Sequence, residues 1–277
     1  MPTRFKVDCV QEIDRGKRFE FGKNWSQFLT VLDEKRITVA EQSLKEMLGI
    51  DHLQGKSFLD IGSGSGLFSL AARRLGASVH SFDFDPQAVA CTSELKKRYF
   101  SGDVSWAIEE ASILDLDYLS SLGTFDIVYS WGVLHHTGAM WRALENARSK
   151  VAPGGYLFIA LYNDQGGVSQ RWKMVKRTYN WLPHGLKFLV LWPAFVRLWG
   201  PIVCRDCLHG RPFSTWFHYK TRRGMSAWHD VVDWVGGYPF EVATPGDVFE
   251  FYREKGLQLI KLKTCNAHGC NEYVFVN

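Results

Sequence analysis

The chain has 277 residues, 46% hydrophobic and 22% charged, with a net charge of +4. This is the composition of a globular protein built as one elaborated domain or a domain with a large insertion. So small a net charge does not announce a nucleic-acid partner, and none is expected.

The opening stretch, MPTRFKVDCVQEIDRGKRFEFGKN, is too charged to hold the apolar core of a signal peptide. Residues 1–54 read as a helical N-terminal segment. Within it FEFGKNWSQF (19–28) forms either a lid carrying Phe21 and Trp25 or a plain amphipathic helix against a sheet. From residue 55 to 162 short apolar runs alternate with amphipathic segments, the pattern of parallel βα units. SFLDI (57–61) is a first strand. LFSLAARRL (67–75) is a helix stopped by Gly76, SVHSFDF (78–84) a second strand, and Pro86 to Tyr99 a second helix. VSWAI (104–108), FDIVYS (125–130) and GYLFIALY (155–162) are further strands, the last preceded by a turn at Pro153-Gly154-Gly155.

Residues 166–243 follow no βα pattern and hold seven of the eleven tryptophans. This insertion follows the fifth strand, on the side where sheets of this kind bind ligands, and is expected to cap a substrate pocket. Its tryptophans are expected to stack on a ring or sugar. The apolar run FLVLWPAFV (188–196) is shorter than the ~20 residues a bilayer span requires. Residues 188–199, with Lys187 just before them and Arg197 near their end, are expected to cover the pocket, a weak membrane-surface contact being the alternative. Thr244, Pro245 and Asp247 start a helix running to Gly256, with cap, first-turn proline and capping-box acid at the right offsets. LQLIKLKT and NEYVFVN then make a terminal hairpin. The expected fold is α/β: a Rossmann-like open sheet, mostly parallel, with an antiparallel C-terminal strand and an aromatic-rich insertion after strand 5. The core is residues 55–165 and 244–277.

The chemistry concentrates at FLDIGSGSG (58–66). A glycine turn between strand and helix usually cradles phosphate. Here Leu67 stands where a dinucleotide fingerprint wants its third glycine, and Asp60 would repel a pyrophosphate. A nucleoside carrying positive charge removes both objections, and S-adenosylmethionine, with its sulfonium and ammonium, is such a ligand. Asp83 lies 21 residues beyond Gly62, where a carboxylate can accept both ribose hydroxyls. An NAD-dependent oxidoreductase is disfavoured on the same grounds.

With these residues in view, the chain resembles class I S-adenosylmethionine-dependent methyltransferases over about residues 55–165 and 244–277. LDIGSGSG, SFDFDP and FDIVYSWGVLHHT are similar to that superfamily's first, second and fourth motifs, and APGGYLFIALYN to its fifth-strand segment. The resemblance leans toward small-molecule O-methyltransferases such as those of quinone biosynthesis. It implies that Asp60, Gly62, Gly64 and Gly66 hold the methionine part, that Asp83 and Phe84 meet the ribose side, and that Ser112 and Ile113 flank adenine. Ser112 departs from the acid many relatives carry. Ser130 and Trp131 would line the methionine end, with Trp25 and Phe21 closing over it.

The expected reaction is methyl transfer to a small molecule, most simply to a hydroxyl of a glycan precursor or aromatic metabolite. The alternatives are an RNA methyltransferase, S- or N-methylation, and a non-catalytic binder of the cofactor. His135 and His136, at the mouth of the fourth strand, and His229 beside Asp230 are the candidate bases. The six cysteines read as reduced thiols of a cytoplasmic protein and not as a zinc site, although Cys204, Cys207, Cys265 and Cys270 number four.

Overall fold

The computed structural model describes residues 4–223, 227–265 and 269–277. Three helices open the chain: α1 (Arg4–Asp14), α2 (Gly22–Leu29) and α3 (Glu34–Leu48). The alternating part runs β1 (Ser57–Ile61), α4 (Leu67–Arg74), β2 (Ser78–Asp83), α5 (Pro86–Tyr99), β3 (Trp106–Glu110), α6 (Leu116–Ser121), β4 (Phe125–Trp131), α7 (Met140–Arg148) and β5 (Val151–Tyr162). The insertion is helical: α8 (Gly167–Trp181), α9 (Phe188–Leu208), α10 (Ser214–Arg223) and α11 (Ala227–Gly236). Then α12 (Pro245–Arg253), β6 (Gln258–Lys263) and β7 (Cys270–Val276) close the chain.

The strands form one seven-stranded sheet in the order β3-β2-β1-β4-β5-β7-β6, with β7 antiparallel to both neighbours and the rest of the pairs parallel. This is the expected fold. Alternate residues serve the two faces. Phe58, Ile127, Tyr129 and Phe158 pack beneath α3, α4 and α5, while Leu59, Val128, Leu157 and Tyr273 pack against α7 and α12 on the other side.

The boundaries shift where local pattern meets long-range pairing. The third strand begins at Trp106 and not at residue 104. Val104 is 95% exposed, whereas the indole of Trp106 is buried and donates to Ser81 Oγ at 2.9 Å. The fifth strand starts earlier than expected, at Val151, and the turn at Pro153-Gly154-Gly155 becomes a bulge between the pairs Phe125–Val151 and Ile127–Tyr156. The last helix ends at Arg253, three residues before Gly256, and its start carries the capping box of Thr244 and Asp247.

Asp85 caps α5 by accepting from Gln87 N at 2.8 Å, with Pro86 in the first turn. Its second carboxylate oxygen accepts from Gly22 N at 2.8 Å, which pins the start of α2 to the end of β2. Only a glycine permits this approach, since a Cβ there would lie 2.5 Å from the Asp85 carboxylate.

The four insertion helices share a cluster of their own around Trp172, Tyr179, Leu191, Trp199 and Val235. The tryptophans mostly pack on one another there, with Trp192 5.7 Å from Trp228 and Trp199 4.8 Å from Trp216 between ring centroids. The expected ring-stacking role is therefore reduced to Trp199 and Trp234, the two that line the main cavity. Helix α9 is also longer than its apolar run. Among the described residues, His184–Leu208 is long and apolar enough, by length and composition, to cross a membrane.

Candidate functional site

A cavity of about 880 Å³ lies at the carboxyl ends of β1 and β4, where the strand order reverses. The sheet contributes Asp60, Gly62, Gly64, Asp83, Ser112 and Trp131. The insertion contributes Leu198, Trp199, Ile202, Val231 and Trp234, and the N-terminal segment Arg18, Phe21 and Trp25.

Asp60, the penultimate residue of β1, is 2% exposed. It accepts a hydrogen bond from the Ser69 hydroxyl of α4. Burial, with the nearby charge of Asp83, pushes its carboxyl up to about 7. The turn that follows needs glycine at two places. Gly62 and Gly64 have φ of +77° and +55°. A Cβ on Gly62 would strike Val133, and one on Gly64 would come within 3.0 Å of the Trp25 indole. Asp83 fastens this turn from the next strand, accepting from Gly64 N and Asp85 N, each at 2.9 Å. Burial pushes its carboxyl up to about 6. Arg18 lies with its guanidinium 4.7 Å from the centre of the Phe84 ring, donates to the His136 carbonyl at 3.3 Å and pairs with Glu12 at 2.6 Å. Ser112 accepts from Leu114 N at 3.1 Å and keeps a hydroxyl proton to donate, with Ile113 beside it on the cavity wall.

These residues fit a cationic nucleoside. Two buried carboxylates line the space, and Asp60 meets no positive side chain among the described residues. A ligand ammonium would supply the missing charge, and Gly62 and Gly64 of the turn line the same cavity.

Three expected contacts are not formed. Gly66 does not line the cavity. It caps α4 at φ +80° and lets α4 approach α5, because a Cβ would lie 2.8 Å from Thr92 Cα. Ser130 is fully buried and its hydroxyl donates to the Ile61 carbonyl at 2.9 Å, tying β4 to β1. Strand alternation explains the difference, since Tyr129 and Trp131 point to the cavity and the residue between them does not. His135 also stays off the cavity wall. Its ring is fully buried between His136 and Tyr162, with centroids 4.4 and 4.1 Å away, and neither nitrogen finds a partner among the described residues. Burial holds it well below the usual imidazole range.

His136 does line the cavity. Its Nδ1 lies 2.5 Å from the Pro239 carbonyl, which can only accept, so the proton sits on Nδ1 and the basic nitrogen is Nε2. Burial pushes it down to about 3, so it is neutral and weakly basic. The side chain of His229 lies outside the described residues.

Sequence reading missed Asp233. With Asp230 it stands one turn apart on α11, and both line the cavity. The signal was present in WHDVVDWV, where two acids spaced i, i+3 interrupt an apolar helix. Burial and Asp230 push the Asp233 carboxyl up to about 7, against the pull of Lys176. Lys176, fully buried on α8, donates to the Trp234 carbonyl and is pushed down to about 7 by burial. Cys265 and Cys270 line the cavity while Cys204 and Cys207 lie exposed on α9, and no metal-ligating cluster of three or more groups forms among the described residues.

Residues 32–223 match a family model described as a methyltransferase domain. The chain is 34% identical over 164 residues to a ribosomal protein L11 methyltransferase of Methylococcus capsulatus, covering 57% of this chain and 48% of the relative. It is 33% identical over 112 residues to a ubiquinone biosynthesis O-methyltransferase of Paraburkholderia xenovorans, covering 40% and 47%. The chain thus spans about half the length of these relatives. Among solved structures, the magnesium protoporphyrin IX methyltransferase of Synechocystis with bound S-adenosylhomocysteine superposes with a TM-score of 0.53 at 11% identity, covering 87% of this chain and 82% of that one. At that identity the likeness is one of fold.

Proposed function

The chain belongs to the methyltransferase-domain family and takes S-adenosylmethionine as its cofactor, and on that premise we propose that it methylates a hydroxyl of a small acceptor, an aromatic metabolite or glycan precursor. The observation that carries this reading is the continuity of the cavity. It runs from the buried carboxylates Asp60 and Asp83 to walls made by Phe21, Tyr162, Trp199 and Trp234. Its volume falls in the upper part of the roughly 300–1,000 Å³ typical of small-ligand pockets.

When bound, the cofactor supplies an electrophilic methyl group on its sulfonium. Asp60 would hold the methionine ammonium, Asp83 the ribose, and Ser112 and Ile113 the base. Tyr162 and Trp234 line the acceptor end of the cavity, where positioning of the acceptor lowers the barrier to displacement. Asp233, on the wall of the same cavity, would take the acceptor's hydroxyl proton. A base works best with a pKa near the working pH. Asp233, at about 7, meets that condition, and His136, at about 3, does not. His136 instead shapes the wall through its bond to Pro239 and its contact with Phe21, 4.9 Å between ring centroids.

Incubation with methyl-labelled cofactor and a panel of catechols, phenols and sugar derivatives, alongside tRNA and ribosomal protein, tests the reading. Label is expected on a small-molecule hydroxyl, at a rate rising with pH through about 7 as Asp233 loses its proton. Asp233→Asn should lower kcat by roughly 10²–10⁴-fold while S-adenosylhomocysteine binds as before. Label appearing only on a macromolecule sinks the proposal.

A further inference from the structure

Helix α9 has two faces with different surroundings. Leu191 and Ala194 are buried in the insertion's own core, and Leu198 and Ile202 continue that line onto the cavity wall. Phe188, Leu189, Trp192 and Val196 occupy an arc of about 100° centred roughly 130° from that line and are 52–62% exposed. Trp181 and Leu186, just before the helix, are 77% and 45% exposed. Six large apolar side chains thus face outward over a single run of sixteen residues. Isolated exposed apolar residues need no explanation, but a contiguous row does.

The charge around this row is lopsided. Residues 166–223 contain eleven Lys and Arg and a single acid, Asp206, in a chain with 33 basic and 29 acidic residues overall. Asp206 accepts from Thr215 N and Oγ1 at 2.7 and 2.8 Å and lies 3.7 Å from Arg205, so it offsets that one cation and leaves the others unopposed within the segment. Arg171, Lys173 and Arg177 on α8 and Arg197 and Arg205 on α9 are exposed. We propose that the outward face of α9, with Trp181 and Leu186, docks in the plane of an anionic bilayer surface. Apolar side chains at half depth beside basic ones are what an interfacial helix requires. The helix lies flat and does not span, because its inner face is committed to the insertion core and to the cavity. The proposal is independent of which acceptor atom is methylated.

Co-sedimentation of the full chain with phosphatidylcholine vesicles, and with vesicles that also contain phosphatidylglycerol, tests it. Binding is expected on the phosphatidylglycerol vesicles, weakened by added salt, and much less on phosphatidylcholine alone. Leu189→Ser with Val196→Ser should lower the partition coefficient at least about tenfold. Both residues are outward, so S-adenosylhomocysteine binding by calorimetry should be unchanged. A second variant, Arg171→Gln with Arg197→Gln, should lose the salt-sensitive part and keep the fold. The proposal is overturned by absence of vesicle binding in a protein that still binds S-adenosylhomocysteine, or by binding that the apolar variant leaves intact. It is equally overturned if the apolar variant instead abolishes a dimer seen in sedimentation velocity, which would assign the face to a second copy. Retention of tRNA without vesicle binding would assign the basic surface to nucleic acid and overturn it too.

Discussion

At the scale of single residues the site is governed by two buried carboxylates. Asp60 and Asp83 both hold protons more tightly in the folded chain than in an unfolded one. For an acid raised in this way, stability is lost as pH climbs from the unfolded value near 4 through the folded value. In the protein alone these two groups therefore lower stability between about pH 4 and pH 7, against the trend set by the exposed ion pairs. A ligand ammonium at Asp60 reverses the preference, so its binding should release protons near pH 6.5. Calorimetry of S-adenosylhomocysteine in buffers of different ionisation enthalpy reads that release directly, and a buffer-independent enthalpy would show that no carboxylate titrates on binding. Asp83→Ala should weaken the same ligand by about 1.5–3 kcal/mol, the range of hydrogen bonds to a charged group; an unchanged affinity would mean the ribose sits elsewhere. Asp60 and Asp83 were legible in the sequence because they sit at fixed offsets from a local turn. Asp233 left a local signal in the acid pair of α11, but its place on the cavity wall depends on how α11 docks against α8 and α9, a contact no nearby residue encodes.

At the scale of elements, the glycine turn separates backbone strain from crowding. Gly64 and Gly102 both have positive φ, +55° and +74°, but only the first would set a Cβ against a ring. Each substitution to Ala should cost about 1–2 kcal/mol of stability through its backbone conformation. Gly64→Ala should in addition lower cofactor affinity by displacing Trp25, whereas Gly102→Ala should leave it alone. Thermal melts paired with calorimetry separate the two, and equal affinity loss would show that crowding plays no part. The capping box of α12 gives a cleaner case, since Thr244→Ala should cost about 1 kcal/mol with no effect on the site. Such caps, and the alternation of strand and helix, are local signals, which is why the order of elements was readable. The third strand slipped because Val104, Trp106 and Ile108 share one alternation, and pairing with β2 decides where the strand begins. The apolar run 188–196 stops at Arg197, whereas α9 continues through Arg197 and Pro201 to Leu208.

At the scale of the whole molecule, three parts of the chain meet over one cavity, and the N-terminal part is fastened from both sides. Phe19 N donates to the Tyr238 carbonyl of the segment after α11, while Gly22 N donates to Asp85 beside β2. A saturating ligand, at about a hundred times its Kd, should stabilise the fold by about 2.7 kcal/mol, which differential scanning fluorimetry registers as a rise in Tm of several degrees. The Asp85 carboxylate has one more effect, on cooperativity. With one oxygen on Gln87 and the other on Gly22, it makes the first turn of α5 and the first turn of α2 open together or not at all. In hydrogen exchange, amides of residues 22–29 and 86–90 should share one opening free energy and slow by the same factor when ligand is added, as members of a single foldon. Asp85→Asn, which keeps one acceptor and loses the charge, should split them into two.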